Sequence, residues 1–441
     1  MKFIFPSRIK KIFFAVFLGK GLMAGRQLLL VPVFLSAWGV DYYGKWLVLS
    51  ALPTFLSMSN LGVGTSANIA IAIEASAQRK DNAERIFLTS QWMILAVAFL
   101  TILFLLIFMQ LTGWGDEENQ LEHARLILIF LLVGVFVQML ASPIFGWWTS
   151  IGKPEISYRM LNTLSIASIA ISIFIPSVGG SALDLSIGML ICNIVWLAYV
   201  NVRTYRALEW SLKVYSRQLF DFSLSKKLLQ TGLGHQLTPL WQGVFFQGSI
   251  IMAGSMLGPS GAALWGTLRI VIRSGNQVLE LVSQTLWTEF QALYARKDVA
   301  ALRRMHRLGL LISLALSSLV ALFLATCGPF LFDFWTGGKF VVDNTSWFAL
   351  ICSLIPFSLW WLSSEMLRAV NRPWLINAWA LAFSLVFLIL IQLLKVKGIA
   401  AFSISSLIFD LLMMAVIIPT VHKFLRELER NEDGKSLGEK Q

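Results

Sequence analysis

Long apolar runs separated by short polar stretches dominate this chain of 441 residues. About 20 apolar residues form a helix that crosses the roughly 30 Å hydrocarbon core of a bilayer. The first run is too long for a cleaved signal peptide, and no small-residue cleavage site follows it. The pattern predicts an all-α polytopic membrane protein with about twelve transmembrane helices, at residues 12–38, 46–73, 86–111, 124–148, 157–177, 181–201, 228–256, 261–290, 308–327, 345–367, 374–394 and 399–420.

Composition excludes a soluble enzyme. Hydrophobic residues make up 57% of the chain and charged residues only 14%, whereas soluble domains contain about 25% charged residues. The sequence contains no HExxH, GxxxxGK[ST], GxSxG or CxxC motif, and its loops are too short for a catalytic domain. Cys192, Cys327 and Cys352 have no spacing typical of a metal site, so we expect free thiols. We therefore expect no metal and no cofactor.

Most of the 36 Lys and Arg residues fall in loops on one side of the predicted membrane. By the positive-inside rule this side is cytoplasmic and contains both termini. The opposite side carries the acidic turn GDEENQLE and only five basic residues, Lys45, Arg125, Lys339, Lys395 and Lys397. The net charge of +12 is thus explained by membrane topology, and we expect no nucleic-acid partner.

An internal repeat divides the chain. AQRKDNAERIF after the second predicted helix resembles YARKDVAALRR after the eighth, and IGKP after the fourth resembles VNRP after the tenth. The offset is 217 residues from Arg79 to Arg296 and 219 from Lys153 to Arg372. Six spans in each half predict two parallel, pseudo-symmetric bundles. They comprise residues 1–202 and 228–421, joined by an amphipathic cytoplasmic linker at 203–227 and followed by a charged cytoplasmic tail at 422–441.

Two cations lie inside the first predicted helix. A charge at the centre of a membrane helix costs roughly 2.5–3.5 kcal/mol on insertion scales, so Lys20 and Arg26 need an explanation. Gly21 and Gly25 form a small-xxx-small pattern that permits close helix approach, but packing does not explain the charges. We expect Lys20 and Arg26 to belong to a substrate site; the alternative for Lys20 is snorkelling toward the cytoplasm.

The eighth predicted helix carries a polar stripe. Arg269, Arg273, Gln277 and Glu280 recur at helical spacing, so they share one face. Charged residues in membranes generally face a bundle interior or a watery cavity. The stripe therefore predicts substrate contacts for the first three residues and ion coupling for Glu280. The alternatives are an Arg273–Glu280 ion pair that only holds helices together and outward snorkelling of Arg269.

The second and seventh helices are also polar and contain glycine or proline. Helices of this kind line transporter cavities, so we expect Asn60, Asn68, His235 and Gln242 to be cavity-lining. A single histidine such as His235 is more often a hydrogen-bonded structural residue.

The motifs YYGKW, NLGVGTSANIAIA, QRKDNAERI and TEFQALYARKD, with the duplicated plan, resemble those of Wzx-like O-antigen flippases. These belong to the multidrug/oligosaccharidyl-lipid/polysaccharide (MOP) exporter superfamily. The resemblance implies two six-helix bundles around a central cavity. It also implies that the protein flips undecaprenyl-pyrophosphate-linked oligosaccharides, such as O-antigen repeats, across the bacterial inner membrane by alternating access.

The same resemblance assigns roles to the embedded cations. Related lipid II flippases carry basic cavity residues on their first and eighth helices, and Lys20, Arg26 and either Arg269 or Arg273 look equivalent. The resemblance implies that these residues bind the pyrophosphate. Membrane lipids and polysaccharide polymerase machinery are the expected partners, and H⁺ or Na⁺ is the expected coupling ion.

Two other functions remain open. A MATE-like, ion-coupled multidrug exporter has the same architecture, but such pumps favour cationic amphiphiles and need cavity carboxylates. A membrane glycosyltransferase or polymerase usually needs a large outer loop, which this chain lacks. We therefore expect a transporter and not an enzyme, with a cavity of net positive charge.

Overall fold

The computed structural model describes residues 7–59, 62–112, 121–208, 221–370 and 373–438. Within these ranges all regular structure is helical and no strand occurs, so the predicted all-α class is confirmed. The α-helices are α1 (Ser7–Ser59), α2 (Val63–Ser76), α3 (Lys80–Thr112), α4 (Ala124–Ala141), α5 (Ile144–Ser150), α6 (Pro154–Ser177), α7 (Ala182–Leu208), α8 (Phe222–Gly243), α9 (Ser249–Ala295), α10 (Val299–Thr326), α11 (Gly328–Thr336), α12 (Asn344–Ala369), α13 (Pro373–Leu393) and α14 (Ile399–Gly438).

Nine helical stretches in the described part of the chain are long and apolar enough to cross a membrane. One of them, Phe14–Ser76, contains 63 residues. At about 1.5 Å per residue this stretch is long enough for more than one crossing, as the sequence predicts for its two apolar segments. The protein is a multi-pass membrane protein.

Two long helices break sharply at glycine. Gly39 in α1 has φ 74° and ψ 177°, and Gly258 in α9 has φ 74° and ψ −179°. This conformation is essentially restricted to glycine because a side chain would clash with the backbone. The two glycines are 219 residues apart, which is one of the two offsets of the sequence repeat. The repeat thus includes a backbone feature that the motifs alone do not show.

Two predicted spans are interrupted. In the second, α1 ends at Ser59 and α2 begins after Gly62, where an added Cβ would collide with the carbonyl oxygen of Gly232 on α8. Only glycine permits this backbone approach. In the fourth span, α4 and α5 are separated before Ile144 by Pro143, whose ring nitrogen cannot continue the helical hydrogen bonds.

The chain separates into two compact units, Met1–Pro239 and Leu240–Gln441. The division falls within α8, directly after a proline. Most of the predicted linker, residues 209–220, lies outside the described residues. The predicted tail continues α14 as helix to Gly438. The proposed limits of the two halves stay predictions.

In the first unit, α1 packs on α6. Asn162 Nδ2 donates to the Ala15 carbonyl oxygen at 2.8 Å, and an added Cβ at Gly19 would lie only 2.8 Å from Asn162 Oδ1. At Gly21 and Gly25 an added Cβ would meet nothing within 4 Å among the described residues. Among the described residues no close helix contact occurs at Gly21 or Gly25, and Gly19 is the glycine at the contact.

In the second unit, α12 packs along α14 and also contacts α9 and α10. The Trp360 ring is 1% exposed and lies 6.4 Å from the Trp241 ring and 6.3 Å from the Phe409 ring, centre to centre. Aromatic pairs at such distances contribute about 0.5–1.5 kcal/mol beyond their buried area. This aromatic core forms one wall of the cavity described next.

Candidate functional site

A cavity lies inside the second unit, between α9, α12, α14 and the end of α8. Concave sites with aromatic walls and a few charged groups are typical of small-molecule binding. Its polar and charged lining residues are Gln242, Arg269, Arg273, Asn276, Glu280, Ser353, Ser406 and Asp410, and its aromatic ones are Trp241, Phe245, Phe246, Trp265, Phe357, Trp360, Trp361 and Phe409.

Arg269 and Arg273 share one aromatic partner. The Cζ atom of each lies 5.1 Å from the ring centre of Phe246. A guanidinium within about 6 Å of a ring centre is attracted by the ring quadrupole. Both arginines are half-buried in the cavity wall. The ring therefore holds two positive groups, one helical turn apart, beside the same space.

A π-helix positions Phe246. Residues Val244–Gly248 form this rare element, and π-helical turns often occur at functional sites. The Phe246 carbonyl oxygen accepts hydrogen bonds from Arg269 Nη1 and from Ser249 Oγ. Trp265 Nε1 donates to the same Ser249 oxygen at 3.0 Å. These bonds fix the turn and the Arg269 side chain together.

The polar stripe of α9 lines the cavity, but one of its members differs from the sequence prediction: Asn276 takes the place predicted for Gln277. Arg269, Arg273 and Glu280 line the cavity, and Asn276 occupies the position between them. Of the described residues, Gln277 is half-buried but is not among those that line the cavity. Positions three and four residues after Arg273 are both compatible with one helical face, so the spacing alone did not distinguish them. Asn276 Oδ1 is buried without a hydrogen-bond partner in the described structure.

The embedded carboxylates have different surroundings. Glu280 interacts electrostatically with Arg273 and with Arg368. Arg368 Nη1 also donates to Glu365 at 2.8 Å. Asp410 is only 6% exposed and accepts a hydrogen bond from Trp360 Nε1 at 3.0 Å.

The described cavity wall of the second unit contains two arginines, Arg269 and Arg273, and two carboxylates, Glu280 and Asp410. The predicted net positive charge also counts Lys20 and Arg26 of the first unit, and it stays a prediction. Both arginines are half-buried, whereas Asp410 is buried.

The remaining predicted site residues lie elsewhere. Lys20 and Arg26 are exposed on α1, and Asn68 is half-buried on α2; all three belong to the first unit. Gln242 lines the cavity of the second unit. His235 lies in α8, where its backbone alone is described, and Asn60 lies outside the described residues.

Comparison with known proteins supports a transporter. Residues 46–174 match the MatE family model, whereas no curated protein matches the chain. The inward-facing structure of a multidrug resistance MATE family transporter of the MOP superfamily is similar, with a TM-score of 0.77 and 15% identity over 92% of this chain and 96% of that one. An outward-facing structure of such a transporter has a TM-score of 0.61 and 18% identity, covering 96% of both chains.

A third similar structure is a MOP superfamily transporter from Pyrococcus furiosus, described as having a binding pocket of reverse polarity that suggests a different function. Its TM-score is 0.58 at 18% identity, and 96% of both chains is covered. The fold of this chain is therefore that of MATE transporters of the MOP superfamily. The proteins that share it are transporters, in agreement with the prediction that the chain is not an enzyme. The matches support the multidrug alternative at least as well as the O-antigen prediction.

Proposed function

We propose that the protein exports an anionic substrate across the bacterial inner membrane by alternating access. The proposed substrate is an undecaprenyl-pyrophosphate-linked oligosaccharide, such as an O-antigen repeat. The observation that carries the proposal is the pair of arginines, Arg269 and Arg273, held on Phe246 at one cavity wall. Guanidinium groups make charge-assisted, bidentate contacts to phosphate oxygens.

The aromatic wall of the cavity supports an oligosaccharide cargo. Trp361 and Phe357 line the cavity with ring centres 5.6 Å apart and rings nearly parallel. The apolar faces of pyranose rings pack against such aromatic surfaces, while their hydroxyls bind polar groups such as Gln242 and Asn276. Lys20 and Arg26 of the first unit remain proposed substrate-binding residues.

Multidrug export is the second candidate. Glu280 and Asp410 in the cavity wall are the carboxylates that a carrier of cationic amphiphiles needs, and aromatic walls also suit flat hydrophobic cations. The comparisons favour this function at least as strongly. The two candidates differ in the sign of the charge on the cargo, which makes them separable by binding.

The experiment measures binding to the purified full-length protein. The probes are a polyprenyl pyrophosphate oligosaccharide, its dephosphorylated polyprenol, and the lipophilic cation tetraphenylphosphonium. We expect the pyrophosphate lipid to bind. Arg273→Gln and Arg269→Gln should each lower its affinity about tenfold or more, because charge-assisted hydrogen bonds contribute roughly 1.5–3 kcal/mol. Arg159→Gln, an exposed arginine on α6, is the matched control.

Tight binding of the cation, with no effect of pyrophosphate, would establish the multidrug candidate instead. Equal binding of the polyprenol and its pyrophosphate would also overturn the proposed role of the arginines. The proposal includes coupling to H⁺ or Na⁺, cytoplasmic termini and association with polysaccharide polymerase machinery. Labelling of single cysteines at Lys80 and Lys297 from outside intact cells would contradict the proposed orientation.

A further inference from the structure

A second cavity of the second unit lies beside α14, next to the end of α12 and the start of α13. It is lined by Leu367, Trp374, Thr420, Lys423, Phe424 and Glu427 among others. The membrane-spanning stretch of α12 ends at Ala369, that of α13 begins at Pro373, and that of α14 ends at Arg430, three residues after Glu427. The cavity therefore lies at the boundary between the apolar spans and water, where lipid headgroups are located.

The two charges of this cavity are one helical turn apart. Lys423 and Glu427 occupy positions i and i+4 of α14, where Cβ atoms are roughly 5–6 Å apart, and both are exposed. No ion pair joins them in the described structure. Two residues further along, Glu429 does pair with Arg303 at 2.8 Å. The cavity thus presents separate positive and negative groups to a bound molecule.

The hydroxyl of Thr420 adds an acceptor. Thr420 Oγ1 donates its hydrogen to the Val416 carbonyl oxygen at 2.7 Å, so only its lone pairs remain for a ligand. Lys423 is therefore flanked along α14 by two acceptors, Thr420 on one side and Glu427 on the other. This arrangement matches a ligand that combines an anion with an N–H donor.

We propose that this cavity binds phosphatidylethanolamine. The lipid phosphate pairs with Lys423, and its primary ammonium donates hydrogen bonds to Glu427, one helical turn further along α14. Trp374 is 67% exposed and stands where tryptophan is enriched, at the membrane interface. With Leu375, a half-buried residue that also lines the cavity, it forms the apolar surface for the first carbons of the acyl chains.

The charge pattern discriminates between lipids. Phosphatidylglycerol has the phosphate but no cation, so Glu427 repels it. Phosphatidylcholine is a zwitterion whose trimethylammonium has no N–H to donate, so it cannot hydrogen-bond to Glu427. Phosphatidylethanolamine satisfies both Lys423 and Glu427. The site is independent of the transported cargo, because its residues are not those of the cavity around Phe246.

The test is native mass spectrometry of the full-length protein in detergent. The protein is titrated with phosphatidylethanolamine, phosphatidylcholine and phosphatidylglycerol that carry identical acyl chains. We expect phosphatidylethanolamine to bind about fivefold more tightly than phosphatidylcholine. A difference in affinity of this size corresponds to one exposed charge-assisted contact. Glu427→Gln should remove this preference, and Lys423→Gln should weaken binding of all three lipids.

The controls are Lys80→Gln and Glu122→Gln, exposed charges far along the chain from this cavity, and both should keep the wild-type preference. Three results overturn the proposal: equal binding of the three lipids, a preference for phosphatidylglycerol, or a phosphatidylethanolamine preference that survives Glu427→Gln. Circular dichroism confirms that each variant is folded before titration.

Discussion

Arg269 and Arg273 place their guanidinium carbons at the same distance, 5.1 Å, from the ring centre of Phe246. Two like charges one turn apart on a helix repel each other by a few tenths of a kcal/mol when exposed, and more where water is scarce. The electron-rich ring, the Phe246 carbonyl oxygen and Glu280 offset this repulsion in the structure. A bound anion, such as the proposed pyrophosphate cargo, would offset the repulsion in the same way.

Replacing Phe246 tests this arrangement directly. Phe246→Leu keeps an apolar side chain but removes the quadrupole that attracts both arginines. Because each contact is worth about 0.5–1 kcal/mol or more when desolvated, we expect pyrophosphate-lipid affinity to fall about fivefold or more. Phe246→Tyr, which retains the ring, is the control and should bind nearly as tightly as wild type. Equal affinities of the Leu and Tyr variants would show that the ring does not position the arginines.

Sequence patterns located the arginines of the site but not its other walls. Arg269 and Arg273 stand out because a cation inside an apolar run is costly and therefore conspicuous. Trp361 and Phe357 do not stand out, because aromatic residues are equally common in a core or against lipid. Asp410 is recognisable in the sequence as an embedded carboxylate. Its hydrogen bond with Trp360 is not, because Trp360 lies on α12 and the contact depends on how α12 packs on α14.

The fold class was predictable because hydrophobic run length decides it. The breaks at Gly39 and Gly258 were not, since glycine is frequent in membrane helices and φ cannot be read from composition. Gly21 and Gly25 illustrate the same limit, because a small-xxx-small pattern permits close packing without requiring it.

Glu280 is predicted to link substrate binding to turnover. It interacts with Arg273 in the cavity and with Arg368, which is itself bonded to Glu365. A bound pyrophosphate competes for Arg273, and a ligand shifts conformations only through its different affinity for the two states. We expect Glu280→Gln to slow ion-gradient-dependent transport in proteoliposomes about tenfold while changing substrate affinity less than threefold.

The alternative role of Glu280 is a static ion pair. In that case Glu280→Gln lowers the thermal stability and the abundance of the protein, and transport per folded molecule remains unchanged. Measuring transport, affinity and melting temperature on one preparation separates the two roles. Wild-type transport with the wild-type response to the ion gradient would end the coupling hypothesis.

The start of α8 is predicted to be pH-sensitive. Asp221 Oδ1 accepts hydrogen bonds from the backbone N–H groups of Leu224 and Ser223 and from the Ser223 hydroxyl. The bond from Leu224, followed by that from the Ser223 hydroxyl, lowers the pKa of Asp221 below its ordinary value. The ionised cap therefore stabilises the folded protein above the unfolded pKa of about 3.9, and this stabilisation is lost as pH falls through the lower, folded pKa.

Melting curves of wild type and Asp221→Ala check this assignment. The variant should melt at a lower temperature at pH 7, and the difference should shrink below about pH 4. Asp221→Asn retains a capping side chain without the titrating group, so its stability relative to Asp221→Ala should not depend on pH. A difference between wild type and Asp221→Ala that stays constant down to pH 3 would contradict the cap.

The equivalent breaks at Gly39 and Gly258 are predicted to be required for folding of both halves. Each glycine has φ 74° and an extended ψ, and a side chain in that region costs of order 1–3 kcal/mol. An added Cβ meets nothing within 4 Å at either position, so the cost comes from the backbone and not from a neighbour.

Gly39→Ala and Gly258→Ala should therefore each lower the melting temperature by about 1–3 °C. Gly21→Ala is the matched control, because Gly21 also has open space but lies in ordinary helix, where alanine is favoured by about 1 kcal/mol. If Gly39→Ala has the same melting temperature as Gly21→Ala, the break does not require glycine. If only one of Gly39→Ala and Gly258→Ala is destabilised, the break is required in that half alone.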